Sequence, residues 1–499
     1  MKKFLKITLI TLLVLVILLA LLLFTQTGND LVKPYLKAEL EKQIGLPTEV
    51  DKFKLRYDHT VLDIIIDKGL KVDVASDFNL LTQSFDGTYK VYANNFLIEG
   101  IKLDEMNING EYKGVPDDLT VNGKGTSFDA PLKYDLRVLD GEAKEITFTI
   151  KDFAVADILT LAKLPSLAKG KVDANLTMPA IPKENLAENL QANLKVNMDN
   201  ITFNDALVKK HYNLALPESL AVNGNVDANL SGEEVLAMVA MKSTLSKTSL
   251  VNVNLDQLKV NTKTKHLRTD YVVDILDLKS LSTLLKTKLD GVLLLKGKVE
   301  KTDTLKVTGL TNSLGGEIKY ALLDKAFDAT MSAMPMQNML KMFAFPPFID
   351  ANTTGKISYD LLHKKGYTKL SLGDFKLAEN DVTKTLGAVM PINPTDIVFG
   401  ASSLDAEVNG DEVIYNMMAK ASEAYISIGD GRINHETNEH EAKMEFGFNK
   451  YAIAGNISGS IRQPRIGFDT KGFLQDQMME NDFSEKAEKE IKKFFKRLF

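Results

Sequence analysis

The sequence predicts a mostly β protein with short helices, in which an elongated, twisted antiparallel sheet forms a hydrophobic groove. Many short segments alternate apolar and polar residues, which is typical of antiparallel strands with one wet face. A long uncharged run at the N-terminus predicts a transmembrane helix, and the last segment is amphipathic. We therefore divide the chain into a cytoplasmic stub and anchor (1–29), a β-rich groove domain (30–472) and a C-terminal amphipathic helix (473–499).

The N-terminus has the pattern of an uncleaved membrane anchor. Lys2, Lys3 and Lys6 precede an uncharged run at 7–24. This run is long enough to cross a hydrocarbon core of ~30 Å. A cleavable signal has a shorter apolar region and small residues at its exit, whereas residues 25–27 form a poor cleavage site. The lysines predict a cytoplasmic N-terminus and an exported remainder.

A lead-in helix is predicted to follow the anchor. Pro34 suits the first helical position, and Gly45 suits the stop. An apolar stripe recurs every four residues, at Leu36, Leu40 and Ile44. The next segment alternates as a strand does, with one slip after Asp51, so the helix introduces the first strand of the sheet.

The alternating segments supply the candidate residues of the groove, because their apolar side chains share one face. These candidates are Val172, Ala174, Leu176, Met178, Val226, Ala228, Leu230, Val251, Val253, Phe446 and Phe448. The pattern changes phase at Leu258, as a β-bulge would cause. Short helices are predicted at 154–164, 276–289 and 334–343. The spacing of these helices is too irregular for a solenoid of fixed period.

Composition and motifs argue against an enzyme, a cofactor site and a nucleic-acid partner. The 61 Lys and Arg residues are balanced by 66 Asp and Glu residues, and cysteine is absent. His435 and His440 are five residues apart, whereas a zincin helix needs a spacing of four. We interpret them as part of a hairpin turn. Segment 121–129 resembles a phosphate-binding loop but lacks the expected first glycine. Together these observations predict no catalytic and no metal-binding residue.

A methionine-rich segment permits three interpretations. Its members are Met331, Met334, Met336, Met339 and Met342. Flexible thioethers fill irregular gaps in a core, and they also suit a deformable patch that contacts a hydrophobic ligand. Soft sulfur ligands would in addition select Cu(I).

The C-terminal segment predicts a helix that contacts a membrane or a partner. Its apolar face carries Phe483, Ile491, Phe494, Phe495 and Leu498, beside dense Lys and Arg residues. Aromatic and cationic residues together suit anionic headgroups. A plain capping helix is the alternative, since cations are favoured near a helix C-terminus.

The apolar faces of the strands must contact something. They could seal against each other as in a sandwich, or one long sheet could leave a trough. A compact body much beyond ~300 residues normally shows linkers between domains, and none is visible here. An elongated sheet of about 30 strands would reach roughly 140 Å. A continuous apolar lining could shield acyl chains from water.

Both ends of the chain resemble the AsmA-like family of Gram-negative bacteria, which includes the TamB-type proteins. The resemblance rests on the anchor, on Gly45, Val50 and Leu55, and on the closing segment 455–469 with its Gly-x-apolar and Pro-x-apolar pairs. It implies a single-pass inner-membrane protein with most of the chain in the periplasm. It also implies a β groove with a role in phospholipid transport to the outer membrane, and no catalytic residues.

Two functional hypotheses follow. The first is a protein that handles phospholipid, or another lipid with acyl chains, between the membranes. The alternative is an anchored scaffold or adaptor for outer-membrane protein assembly. In the alternative, an outer-membrane or periplasmic partner would bind the sheet edges and the C-terminal helix. The two hypotheses differ in the lipid that should co-purify with the exported domain: a lipid-handling protein should retain phospholipid. An adaptor should lose partner binding, with no change in lipid content, when residues 483–499 are deleted.

Overall fold

The computed structural model describes residues 24–469, apart from 80, 99–100, 183–184, 218, 286, 346–348, 380–382, 385, 388–392, 401 and 450. Most of the predicted anchor (7–24) and the whole predicted C-terminal helix lie outside the described residues. The described chain is mostly antiparallel strand with short helices, which confirms the predicted fold class at that level.

Within residues 24–469, no helix is long and apolar enough to cross a bilayer.

The described residues form two compact units. Those up to Ser246, with Lys259–Lys263, form unit 1, and Lys247–Leu258 together with those from Thr264 onward form unit 2. The strands of unit 1 are β1 (Thr48–Leu55), β2 (His59–Ile66), β3 (Leu70–Asn79), β4 (Ser84–Ile98), β5 (Ile101–Val115), β6 (Asp118–Ser127), β7 (Ala130–Leu139), β8 (Glu142–Ala154), β9 (Ala168–Ala180), β10 (Gln191–Phe203), β11 (Leu220–Ser231) and β12 (Glu234–Leu245). Its helices are α1 (Gln26–Ile44), α2 (Val155–Leu161), α3 (Leu186–Asn189) and α4 (Asp205–Tyr212).

Unit 1 is one antiparallel meander. From β1 to β12, each strand pairs with the strand that follows it in the sequence. Helices α2 and α4 follow β8 and β10, which run in the same direction, so both helices lie at the same end of the strands. At the other end the connections are short, apart from the one between β9 and β10, which contains α3.

Helix α1 begins earlier than the sequence predicted. Its N-cap is Thr25, whose hydroxyl accepts a hydrogen bond from the Gly28 N–H at 3.2 Å. Pro34 therefore lies inside the helix, and its assignment to the first helical position was wrong. The C-terminal end is as predicted, because Gly45 takes the left-handed conformation (φ 74°) and donates to the Glu41 carbonyl.

Bulges interrupt several strands of unit 1. The register of β1 shifts between Val50 and Lys52, which confirms the slip read from the sequence. Near the ends of β8 and β10, Asp152 and Asn200 are left-handed, with φ of 54° and 50°. The N–H of Asp152 donates to Asp173 and that of Asn200 to Asn223, at 2.8 and 2.7 Å. Such bulges increase the local twist of a sheet.

Strand β13 (Thr248–Asn261) contributes residues to both units, and Gln257 has a positive φ of 51° where the phase change was predicted. The later strands are β14 (Leu267–Ile275), β15 (Leu293–Lys301), β16 (Leu305–Thr311), β17 (Glu317–Leu323), β18 (Ala326–Pro335), β19 (Ile349–Asp350), β20 (Asn352–Asp360), β21 (Lys365–Leu372), β22 (Lys376–Leu377), β23 (Ser402–Asn409), β24 (Glu412–Lys420), β25 (Ala424–Asn434), β26 (Glu439–Phe448), β27 (Tyr451–Ser460) and β28 (Gln463–Phe468). The helices of unit 2 are α5 (Ser282–Leu285), α6 (Met336–Met342) and a 3₁₀ turn (Pro394–Asp396).

Unit 2 is also a meander, but the short strands β19 and β22 pair with each other outside it. The predicted helix at 276–289 is shorter than expected, because only α5 is helical there. Asp277 accepts hydrogen bonds from the Ser280 N–H and hydroxyl, and these bonds hold the preceding residues in a tight turn. The predicted hairpin turn between β25 and β26 is confirmed, with His435 in the turn and His440 in β26.

Candidate functional site

A continuous row of apolar residues crosses all twelve strands of unit 1. We name it the valine row, and each of its members is the register partner of the next. In strand order the members are Val50, Ile64, Val72, Val91, Ile108, Gly125, Leu132, Ile150, Ala174, Val196, Val226 and Val239. At ~4.8 Å per strand, its eleven steps amount to roughly 50 Å.

A second row lies beside the first on the same face. This tyrosine row is likewise continuous through the same ladders. Its members are Phe53, Leu62, Val74, Tyr89, Gly110, Gly123, Tyr134, Phe148, Leu176, Leu194, Ala228 and Ala237. Neither row contains a charged residue, whereas the opposite face of the same strands is polar. On β9, for example, Asp173, Asn175 and Thr177 are exposed.

The apolar face is incompletely buried where it reaches the last strands of unit 1. Ala174, Val196, Val226 and Val239 are all half-buried. Residues at the centre of a packed core would be almost fully removed from solvent. From β9 to β12, the valine row therefore remains accessible.

Helix α2 covers one end of this region. Its residues Val155, Ile158 and Leu159 pack against a small cluster that includes Val172 and Ile201. Val172 is only 6% exposed as a result.

A concavity of about 650 Å³ lies at the other end of β8 to β11. Each of the four strands contributes three residues, so both faces of the sheet border it. Met178 and Leu230 are among the lining residues. Two of the predicted groove residues thus border a solvent-accessible space.

The structure brings the predicted residues of unit 1 together on one face. Ala174 and Val226 belong to the valine row, and Leu176 and Ala228 belong to the tyrosine row. Leu194 and Val196 occupy equivalent positions but were not among the groove candidates, although the alternation of β10 already placed them on its apolar face. Val251 and Val253 of β13 are half-buried.

Phe446 and Phe448 occupy a different environment from the other candidates. They lie in the main hydrophobic cluster of unit 2, where they are 1% and 8% exposed. The same cluster contains the stacked rings of Phe375 and Phe399, whose centroids are 5.0 Å apart. The methionine-rich segment also contributes to it, with Met331, Met334 and Met336 buried and Met339 and Met342 partly buried. This part of unit 2 is a closed core. The candidate membrane or partner contacts of the C-terminal helix lie outside the described residues.

A pair of tyrosines interrupts the apolar character of the tyrosine row. Tyr89 on β4 and Tyr134 on β7 reach across the glycines of β5 and β6, and their hydroxyl oxygens are 2.5 Å apart. The Tyr89 hydroxyl also donates to the Asn122 carbonyl at 2.8 Å. Burial, together with the hydrogen bond to Tyr134, raises the pKa of Tyr89, so the phenol stays neutral.

Unit 2 repeats this arrangement on β14 to β17. Tyr271 and Tyr320 reach across Gly297 and Gly309, and their hydroxyl oxygens are 2.7 Å apart. The Tyr271 hydroxyl donates to the Thr308 carbonyl at 3.4 Å. In both units, the accepting carbonyl belongs to the residue before the second glycine. We call each pair a tyrosine dyad.

A third tyrosine uses a different partner. The Tyr415 hydroxyl lies 2.6 Å from Nε2 of His440, and the Tyr415 ring crosses Gly431 of the neighbouring strand. Burial raises the pKa of Tyr415 to about 12 and lowers the pKa of His440. Both groups are therefore uncharged at neutral pH.

The described residues contain no group of three or more His, Asp or Glu side chains that could hold a metal ion. No known family model matches the chain, and no curated protein matches it.

Proposed function

We propose that this protein binds the acyl chains of phospholipids along the apolar face of unit 1 and carries them between the membranes of a Gram-negative envelope. In this proposal, the N-terminal run anchors the chain in the inner membrane and most of the chain faces the periplasm. The amphipathic C-terminal segment contacts a membrane or an outer-membrane partner. The resemblance to the AsmA-like family, read from the ends of the sequence, motivates this placement.

The observation that carries the proposal is the continuous valine row. An apolar stripe roughly 50 Å long is longer than one leaflet of hydrocarbon, which is about half of the ~30 Å bilayer core. Its accessible part, from β9 to β12, spans roughly 15 Å, so one acyl chain could lie on it. The earlier members of the row that are buried are Val50, Ile64, Ile108, Leu132 and Ile150. Each methylene group removed from water is worth ~0.8 kcal/mol, so a chain that buries roughly ten of them gains ~8 kcal/mol before ordering costs.

The exposure of the row from β9 to β12 supports the proposal further. An apolar surface that is left half-buried is costly in water and is typical of a ligand-binding groove. No charged side chain interrupts the two rows, so an acyl chain could shift along them without passing an unpaired charge.

The proposal is tested by placing charge on the apolar face. We expect the full chain, purified in amphipol, to retain phospholipid that mass spectrometry detects. Replacement of Leu176→Lys together with Leu230→Lys should lower the bound lipid at least about tenfold, because a buried ammonium opposes an acyl chain.

The matched control is Asn175→Lys with Asn225→Lys. These exposed residues lie on the opposite face of the same strands, so bound lipid should stay unchanged. A wild-type chain without lipid, or equal lipid in both double variants, would contradict the proposal.

A further inference from the structure

The two tyrosine dyads share one geometry, although they lie in separate units. In each unit, four consecutive strands carry Tyr, Gly, Gly and Tyr at register partners. In unit 1 the dyad supplies the only side-chain hydrogen-bonding atoms within the described valine and tyrosine rows. A ligand that lies on these rows therefore meets polar atoms at the dyad.

The hydrogen bonds within the dyad leave one kind of capacity free. A tyrosine hydroxyl has one proton to donate and can accept hydrogen bonds as well. The Tyr89 proton is committed to the Asn122 carbonyl, so the short contact between the two hydroxyls uses the Tyr134 proton. The Tyr134 oxygen can still accept a hydrogen bond. The same accounting in unit 2 leaves the Tyr320 oxygen as the acceptor.

We infer that each dyad is a binding site for a hydrogen-bond donor on an amphiphile, such as a hydroxyl next to an acyl or alkyl chain. This inference rests on the proposed function, because the alkyl chain would occupy the apolar face. A donor on the ligand bonds to Tyr134 or Tyr320 without breaking any existing hydrogen bond. A ligand that can only accept a hydrogen bond must first break an existing hydrogen bond of a tyrosine hydroxyl. It therefore gains little net hydrogen bonding.

A purely structural role would have a different signature. Rings that only cover the glycines would stabilise the sheet equally with or without ligand. In that case, loss of a hydroxyl would change thermal stability but not the choice between ligands.

The test uses two ligands that differ only in the donor, hexadecan-1-ol and its methyl ether. Displacement of a fluorescent fatty acid from the full chain in amphipol gives both affinities. The alcohol should bind about three- to tenfold tighter than the ether, as expected of one net hydrogen bond. In the variant that replaces all four dyad tyrosines with phenylalanine, this ratio should fall to about one, because no dyad hydroxyl remains to accept a hydrogen bond from the alcohol.

Tyr57→Phe, at an exposed tyrosine outside the dyads, is the control and should keep the wild-type ratio. A variant without the four dyad hydroxyls that retains the preference for the alcohol would overturn the inference while leaving the proposed function standing. Failure of both ligands to displace the probe from the wild type would contradict both proposals. Thermal unfolding of the four-residue variant shows separately whether the fold persists.

Discussion

The glycines beneath the tyrosine dyads leave the space that the tyrosine rings occupy. A Cβ atom placed on Gly309 would lie 2.5 Å from the Tyr271 hydroxyl and 2.5 Å from the Tyr320 ring. Real side-chain atoms do not approach so closely, so the rings must move or the strands must separate. Glycine is thus needed here for space, because an aromatic ring lies flat across the strand.

We predict that Gly309→Ala lowers the free energy of unfolding by about 1–3 kcal/mol, the usual cost of overpacking. Urea unfolding of the full chain measures this difference. Gly429→Ala in the same unit is the matched control, since a Cβ there meets nothing within 4 Å. If both variants are equally stable, the rings do not hold the positions described.

At the element scale, helix α1 closes the edge of the sheet at β1. The Asn29 side chain accepts from the Leu55 N–H at 2.8 Å and donates to the Leu55 carbonyl at 3.2 Å. It thereby replaces a neighbouring strand, and Asn29 itself is only 7% exposed. The Lys33 ammonium similarly donates to the Asp51 carbonyl at 3.0 Å.

Replacement of Asn29→Ala should free this edge. The Leu55 amide then loses its partner, which costs about 1–3 kcal/mol if it stays away from water. Hydrogen exchange followed by mass spectrometry should show faster exchange in β1. Gln43→Ala should leave that exchange unchanged, because Gln43 bonds to the exposed Glu39 on the same helix. Unaltered exchange in the Asn29 variant would mean that the helix does not protect the edge.

The sequence predicted the strands and their apolar faces well, because a period of two can be read directly from alternation. The apolar faces of β8 to β11 and the slip after Asp51 are examples. The cross-strand rows could not be predicted, since a register depends on turns and on bulges such as the one at Asn200. The start of α1 was missed because Thr25 was assigned to the end of the anchor.

The tyrosine dyads were also invisible in the sequence. Two strands, β5 and β6, lie between Tyr89 and Tyr134, and only the ladders through Gly110 and Gly123 bring their hydroxyls together. The environment of Phe446 and Phe448 was missed for a similar reason. Alternation identifies an apolar face, but it does not tell what covers that face.

At the scale of the whole molecule, the two units bury their apolar residues to different degrees. The main cluster of unit 2 includes residues with almost no exposure, such as Leu372 at 2%. On the accessible face of unit 1, the large side chains of the two rows, such as Leu194, are half-buried. A leucine in each unit therefore provides a matched comparison.

We predict that Leu372→Ala destabilises the protein by about 2–5 kcal/mol, the cost of a cavity in a closed core. Leu194→Ala should cost only about 1 kcal/mol, because less of the apolar area of Leu194 is removed from water when the protein folds. Urea unfolding monitored by hydrogen exchange in each unit separates the two effects. Equal losses would indicate that the apolar face of unit 1 is sealed, which would contradict the proposed function.

The meander of unit 1 has a consequence for biosynthesis. Each strand from β1 to β12 pairs with the strand that precedes it in the sequence. A newly synthesised strand can therefore pair at once with the strand made before it. Such local pairing favours rapid folding and limits the time for which bare edges can aggregate. The sheet can therefore grow hairpin by hairpin from the N-terminus while the rest of the polypeptide is still being synthesised.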